Sequence, residues 1–307
     1  MADTYPLSAG RVWQLGWSIL KFAWRPMMIA AAIVLVPASA IVVPISATFS
    51  PLIDGWVSDA EQAARLSLPQ PALPDNFQIA VIALIASTLV MLAASLVASA
   101  AIVHIVDATF RGRRTSGGAA VRFGIGRLGA LVSAQILYVV SILIIVMLGL
   151  MLSGALLIGG GLLAFLGLVT LVGCVAAILF VVVRTSLLVQ TISVEQLAGS
   201  LGFGRSWKLV AGAGWRVLGY LILLALVNLV ISLFVGSIPV AALGVTDNTF
   251  GDVAVRSVIE ALIGILTAPI TPVVLTLLYY DLRWRHGERV PVPGGGEVAG
   301  RPEPEAR

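Results

Sequence analysis

The residues that could do chemistry in this chain are ionisable groups stranded in apolar sequence, because a charge in hydrocarbon is costly and is retained for a reason. Arg256 and Glu260 stand four residues apart, on one face of a helix, where an ion pair can form. His104 precedes Asp107 by three residues, which gives a group titrating near neutrality a carboxylate neighbour, as a proton relay needs. His104 and Glu260 are the candidate intramembrane polar residues. Glu260 lies 21 residues before Asp281, or about 31 Å of helix. That spacing puts it near the far interface and favours a structural pair with Arg256. Gln135 and Asn228 can hydrogen-bond between helices.

A second set lies between Val194 and Leu221, the most charged segment between two long apolar blocks. There Trp207 and Trp215 alternate with Arg205, Lys208 and Arg216. Indole rings settle at the level of lipid headgroups, and clustered cations attract anionic phospholipids. These five are the candidate contacts with anionic phospholipid headgroups or with a membrane-protein partner.

Other chemistry lacks its residues. No serine or threonine is placed with a histidine and a carboxylate in a way that spacing supports. Gly159-Gly160-Gly161 lacks the Lys and Ser/Thr of a phosphate loop. Metal-ligand spacings are missing, and Cys174 is the one cysteine, so neither a metal site nor an internal disulfide is expected. No catalytic residue and no cofactor is assigned, and the expectation is a protein that is not an enzyme.

The elements that hold these residues follow from composition. Of 307 residues 59% are hydrophobic and 11% charged, against about 25% charged in a soluble domain. Between Arg127 and Arg184 lie 56 residues without a charge, too many for one membrane helix of about 20 residues and enough for two. The reading is all-α: a polytopic transmembrane bundle of six spans, near 26–47, 78–106, 129–152, 162–184, 215–238 and 255–280. Ser153-Gly154 or Gly159-Gly160-Gly161 offers the turn between spans three and four. Pro37 and Pro44 predict a kink in span one, and Pro269 and Pro272 a bend in span six. Residues 48–77 read as a polar loop, with a short helix over 59–66 behind the capping box Ser58…Glu61. Residues 1–25 form an amphipathic helix, with Arg11, Gln14, Ser18, Lys21 and Arg25 on one stripe and Trp13, Trp17, Leu20 and Trp24 on another. It lies in the headgroup region or packs against the bundle. Residues 286–307, rich in Gly, Pro and charge, read as a disordered tail.

Six spans place both termini on one side. That side carries seventeen of the nineteen Lys and Arg, with only Arg65 and Arg256 opposite. The positive-inside rule then sets both termini in the cytoplasm. The net charge of +4 reflects this retention of basic residues, not nucleic-acid binding. Arginine in preference to lysine, with much Ala, Gly and Val, points to a GC-rich bacterium and so to a bacterial plasma membrane.

Three stretches echo one another: those from Ala9, Gly117 and Ala198. Each starts with small residues, mixes apolar with basic ones and enters a span. They read as three units, each an interfacial amphipathic element on the cytoplasmic side followed by a membrane hairpin. Glu195, Arg205-Ser206-Trp207-Lys208-Leu209-Val210, Trp215-Arg216-Val217-Leu218-Gly219 and the closing Tyr279-Tyr280-Asp281-Leu282-Arg283 resemble a family of bacterial membrane proteins. It is the membrane-domain family found ahead of some glycerophosphoryl diester phosphodiesterases, which also occurs as stand-alone six-span proteins. The resemblance implies the six-span fold over most of residues 10–290 and implies no activity. The phosphodiesterase chemistry of the fusions belongs to a separate soluble barrel with paired histidines and a metal, which His104 and His286 do not supply.

Three functions are weighed, with a lipid-modifying enzyme the last of them. The first is a non-enzymatic scaffold or accessory protein touching lipid or a partner through the Trp/Arg face. The alternative is a small-solute or lipid transporter or channel using Glu260, His104 and the proline-bent spans one and six. A polar cavity reaching into the membrane favours the second; a dry, well-packed bundle favours the first.

Overall fold

The structure is a computed structural model and describes residues 7–238, 240, 244, 250–292 and 297–298. Its helices are α1 (Ala9–Arg65), α2 (Phe77–Phe110), α3 (Gly117–Ile158), α4 (Gly161–Thr185), α5 (Leu188–Val194), α6 (Gly199–Leu209), α7 (Gly214–Ile231), α8 (Phe250–Thr267) and α9 (Ile270–Arg285). A π-helical turn, Ser232–Ser237, extends α7. Among the described residues six stretches are long and apolar enough to cross a membrane: α1, α2, α3, α4 with α5, α7 with its π turn, and α8 with α9. Ile33, Ile82, Leu148, Leu162, Phe234 and Leu262 are among the many large apolar side chains left exposed, as lipid-facing surfaces require. The chain is an all-α, multi-pass membrane bundle.

Local sequence explains most helix ends. The Ser8 and Ser116 hydroxyls cap α1 and α3 by accepting from the backbone N–H groups of Arg11 and Ala119. α3 and α4 form an antiparallel hairpin that turns at Gly159-Gly160-Gly161, where Gly160 and Gly161 take φ of 67° and 51°, a region open to glycine. Gly124 brings α3 against α2 so closely that a Cβ there would lie 2.6 Å from the Val97 carbonyl oxygen.

Several boundaries differ from expectation. α1 is one 57-residue helix, not an interfacial helix, a span and a loop. Its non-helical point is Ala23, with φ −108° and ψ 18°, while Pro37, Pro44 and Pro51 lie within regular helix. The ring of Pro26 crowds the carbonyl one turn back, at Phe22. That is where the first turns of α1 swing over to pack on α9, so this proline alone coincides with a tertiary bend. The Ser58 hydroxyl donates to the Gly55 carbonyl rather than opening a helix, and the connection shrinks to 66–76. Of the three echoed segments, those at Ala9 and Gly117 run on into their spans, the first through the Ala23 kink. The one at Ala198 is a separate helix, ended by Gly212 at φ 81°.

α9 is the centre of the molecule. Every residue from Pro272 to Leu282 is buried. Around it pack Leu7, Val12 and Ile19 of the N-terminal segment, Ile102, Ile105 and Phe110 of α2, and Leu209, Val210 and Val217. The inward stripe of α1 here is Val12, Gly16, Ile19 and Ala23. Trp17 and Trp24 stay exposed, with Lys21 and Arg25 over their rings. The tail also joins this core. Val290 and Val292 are buried, and Val290–Pro291 pairs antiparallel with Glu297–Val298. The expected disorder of 286–307 thus fails for 286–292 and 297–298, because two valines and Glu288 find partners on the bundle. Residues 293–296 and 299–307 lie outside the described residues.

Candidate functional site

Two of the six crossings are broken, and the breaks face each other. α4 gives way to α5 at Ser186 and Leu187, and α8 to α9 at Ala268 and Pro269. Pro269 and Pro272 have no N–H, so the carbonyls of Ile265 and Ala268 cannot receive their i+4 helical hydrogen bonds. Broken helices are tolerated inside a membrane where they line a cavity.

A cavity of about 240 Å³ lies between the breaks. It is lined by Ser99 of α2, Ser186 and Gln190, Asn228 of α7, and Thr267 and Thr271, with Ala268 and Pro272 alongside. Gln190 is 2% exposed, and its Oε1 accepts no hydrogen bond. The Ser186 hydroxyl donates to the Val183 carbonyl at 2.9 Å, that of Thr267 to Ile263 at 2.8 Å, and Asn228 Nδ2 to Leu224 at 2.8 Å. A second cavity of about 480 Å³ opens between the π turn of α7 and α8. Asn228 and Thr267 belong to its wall too, followed by Ser232, Ser237, Arg256 and Glu260. The two cavities adjoin at Asn228 and Thr267, which line both. Ser99, Asn228 and Thr271 each stand twelve residues from an arginine at the other end of their helices, Arg111, Arg216 and Arg283. Twelve residues are about 18 Å of helix, against a hydrocarbon slab of about 30 Å.

Glu260 accepts from Arg256 Nε at 3.0 Å, the i,i+4 pair expected from spacing. Both side chains are open to the outer cavity, at 60% and 46% exposure. His104 lies apart: it stacks on Phe123 of α3 at 4.2 Å between ring centres and lines neither cavity. Its neighbour Asp107 is taken by Arg111 at 2.8 Å and by the hydroxyl of Tyr280. Gln135 is half-buried on α3.

The opposite, arginine-rich end is closed by ion pairs. Arg205 does not face outward. Its guanidinium holds Glu195 at 3.0 Å and Glu288 at 2.5 Å, and Arg283 holds Glu288 at 2.6 Å. The Tyr279 hydroxyl donates to Glu195 at 2.6 Å. Arg216 and Arg285 grip Asp281, which is 0% exposed, at 3.1 and 2.9 Å. Asp281 also accepts the Leu7 N–H at 2.7 Å, and Arg216 donates to the Leu7 carbonyl. Burial alone would raise Glu288 above its usual range, but hydrogen bonds from Arg205 and Arg283 outweigh it and hold the carboxyl below. Burial would lower Arg205, and its two carboxylate partners raise it instead. Trp207 is packed between Phe180 and Phe203 under the Arg184 guanidinium. Of the five expected contact residues, Lys208 and Trp215 are exposed, Trp215 at 87%.

Sequence reading missed Gln190, Ser99 and Ser186, single polar residues in apolar runs with no spacing signal. It also missed the pairings of Glu195, Asp281 and Glu288, which join nearby arginines to distant ones such as Arg205 with Glu288 and Arg216 with Asp281. No family model, no curated protein and no solved structure matches this chain. Its function therefore rests on the site itself.

Proposed function

We propose that the protein passes a small polar solute across the membrane through the cleft between α7, α8 and the two helix breaks. The observation that supports this is that Asn228 and Thr267 line both cavities, between the Arg256–Glu260 mouth and the chamber beside Gln190. Polar side chains buried at helix breaks are the usual way to hold a solute where lipid cannot. The reading makes the protein a carrier or channel rather than an enzyme. The orientation follows the arginines: both termini and the ion-paired end in the cytoplasm of a bacterial cell, the Arg256–Glu260 mouth outside. Membership of the phosphodiesterase-linked membrane-domain family stays a proposal, supported by the motifs at Arg205–Val210 and Tyr279–Arg283.

The scaffold reading keeps a narrower basis. Arg205 and Arg216 are spent on Glu195, Glu288 and Asp281, so headgroup or partner contact falls to Lys208 and Trp215. Those two, with Trp17 and Trp24, suit an interfacial anchor, which is compatible with transport.

The test is solute efflux from proteoliposomes of the full chain. Wild type should release urea faster than protein-free vesicles. Asn228→Leu, which puts an apolar side chain at the junction of the cavities, should lower that excess at least tenfold with the helical circular dichroism unchanged. Folded wild-type protein with no excess over empty vesicles overturns the proposal.

A further inference from the structure

The inner chamber has a chemistry of its own, and the inference from it rests on the passage reading above. Its polar wall is Ser99, Ser186, Gln190, Asn228, Thr267 and Thr271, none of them ionisable. The formal charges that line the outer cavity, Arg256 and Glu260, neutralise each other at 3.0 Å, and none lines the chamber itself. An ion entering the chamber would leave water with no opposite charge to meet it, which costs far more than burying a neutral polar group that is hydrogen-bonded.

The wall carries both acceptors and donors of hydrogen bonds. The Ser186 and Thr267 hydroxyls donate to carbonyls of their own helices, as does one N–H of Asn228, and their oxygens are left as acceptors. Gln190 Oε1 is buried and unpartnered. The Ala268 carbonyl has lost its helical donor to Pro272. Against these stand the N–H groups of Gln190, the second N–H of Asn228 and the hydroxyls of Ser99 and Thr271, so a ligand that both donates and accepts can be hydrogen-bonded here. The volume, about 240 Å³, is that of about eight liquid waters at ~30 Å³ each, which suits a small molecule and not a lipid headgroup with its chains.

We infer that the chamber formed by the Ser186–Gln190 and Thr267–Pro272 breaks is a selectivity site for small uncharged solutes that carry hydrogen-bonding groups. Gln190 is its most buried polar side chain. Ions of the same size are rejected for want of a counter-charge, and neutral molecules without hydrogen-bonding groups for want of a partner.

Pairs of probes that differ in charge alone test this: urea against guanidinium, and acetamide against acetate. Each is loaded in proteoliposomes of the full chain, and its rate is taken as the excess over protein-free vesicles. The expected result is an excess for urea and acetamide at least tenfold that of their charged counterparts. Gln190→Leu should cut the urea excess at least fivefold. Gln190→Glu, which keeps the shape and supplies a negative charge, should raise guanidinium relative to urea. Guanidinium or acetate moving as fast as its neutral partner in wild type overturns the selectivity site and leaves the passage reading standing. No protein-dependent movement of any of the four probes overturns both.

Discussion

Glu288 shows how one residue can fasten a terminus. Its carboxylate bridges Arg205 of α6 and Arg283 of α9, and Val290 and Val292 follow it into the core. Glu195 and Tyr279 complete the surroundings. The pH dependence follows from the direction of its shift. A carboxyl held below its ordinary value near 4.5 contributes stability above that value and loses it as pH falls through the lowered one. Amide exchange at Val290 and Val292 should thus be protected at pH 7, and that protection, relative to the unfolded chain, should be lost as pH falls through the lowered value. Glu288→Gln should leave those amides unprotected already at pH 7. Protection that is unchanged in Glu288→Gln would show that the tail is held by its valines alone. None of this was legible in the sequence. Arg205 and Arg283 are plainly charged, but Glu288 is 83 residues from Arg205, and no periodicity relates positions so far apart. The two arginines that looked suited to headgroups, Arg205 and Arg216, pair with carboxylates, since what a side chain meets is decided by what packs over its helix face.

The broken helices are where element-scale reading divided. Pro269 and Pro272 announce the α8–α9 break, because a missing donor and a ring clash leave the helix little choice. The Ser186–Leu187 break has no proline or glycine and was invisible. There α5 is set by packing, with Leu188 and Ile192 buried against Leu96, Leu131 and Ala134. In α1 the opposite held: prolines at 37 and 44 predicted a kink and regular helix resulted. A proline interrupts a helix chiefly where the tertiary structure also asks for a bend. If the α8–α9 break exists for the chamber, then healing it should gain stability and lose function. Pro269→Ala with Pro272→Ala restores donors to the Ile265 and Ala268 carbonyls, and interior proline in a helix costs about 3 kcal/mol. The double variant should unfold at a higher temperature than wild type and show a several-fold smaller protein-dependent urea efflux. A less stable double variant with full efflux contradicts this view of the break.

At the scale of the whole molecule the two ends are built differently. The arginine-rich end is closed by α9, α6, the first turns of α1 and the tail, with its carboxylates paired. The other end carries a cleft whose walls, the π turn and α8, keep hydroxyls and an ion pair beside lipid-facing Phe234 and Leu262. The six-crossing helical bundle was legible from hydropathy alone, because a chain 59% hydrophobic with one uncharged run of 56 residues has no soluble alternative. The cleft was not, since it depends on which faces of α2, α5, α7 and α9 turn toward each other. The claim that decides the account is that this cleft is wet. In a Cys174→Ser background, single cysteines at Ser237, Asn228 and Thr271 would sample its mouth, junction and inner chamber, and one at Leu226, an exposed apolar position on α7, the lipid. Intact cells would be treated with iodoacetamide, which is small and neutral, or with a bulky membrane-impermeant maleimide. The account predicts that iodoacetamide modifies the Ser237, Asn228 and Thr271 cysteines at least tenfold faster than the Leu226 one, and that the maleimide reaches Ser237 from outside. Cysteines at Asn228 and Thr271 as inert as the one at Leu226 would mean a dry bundle and would contradict it.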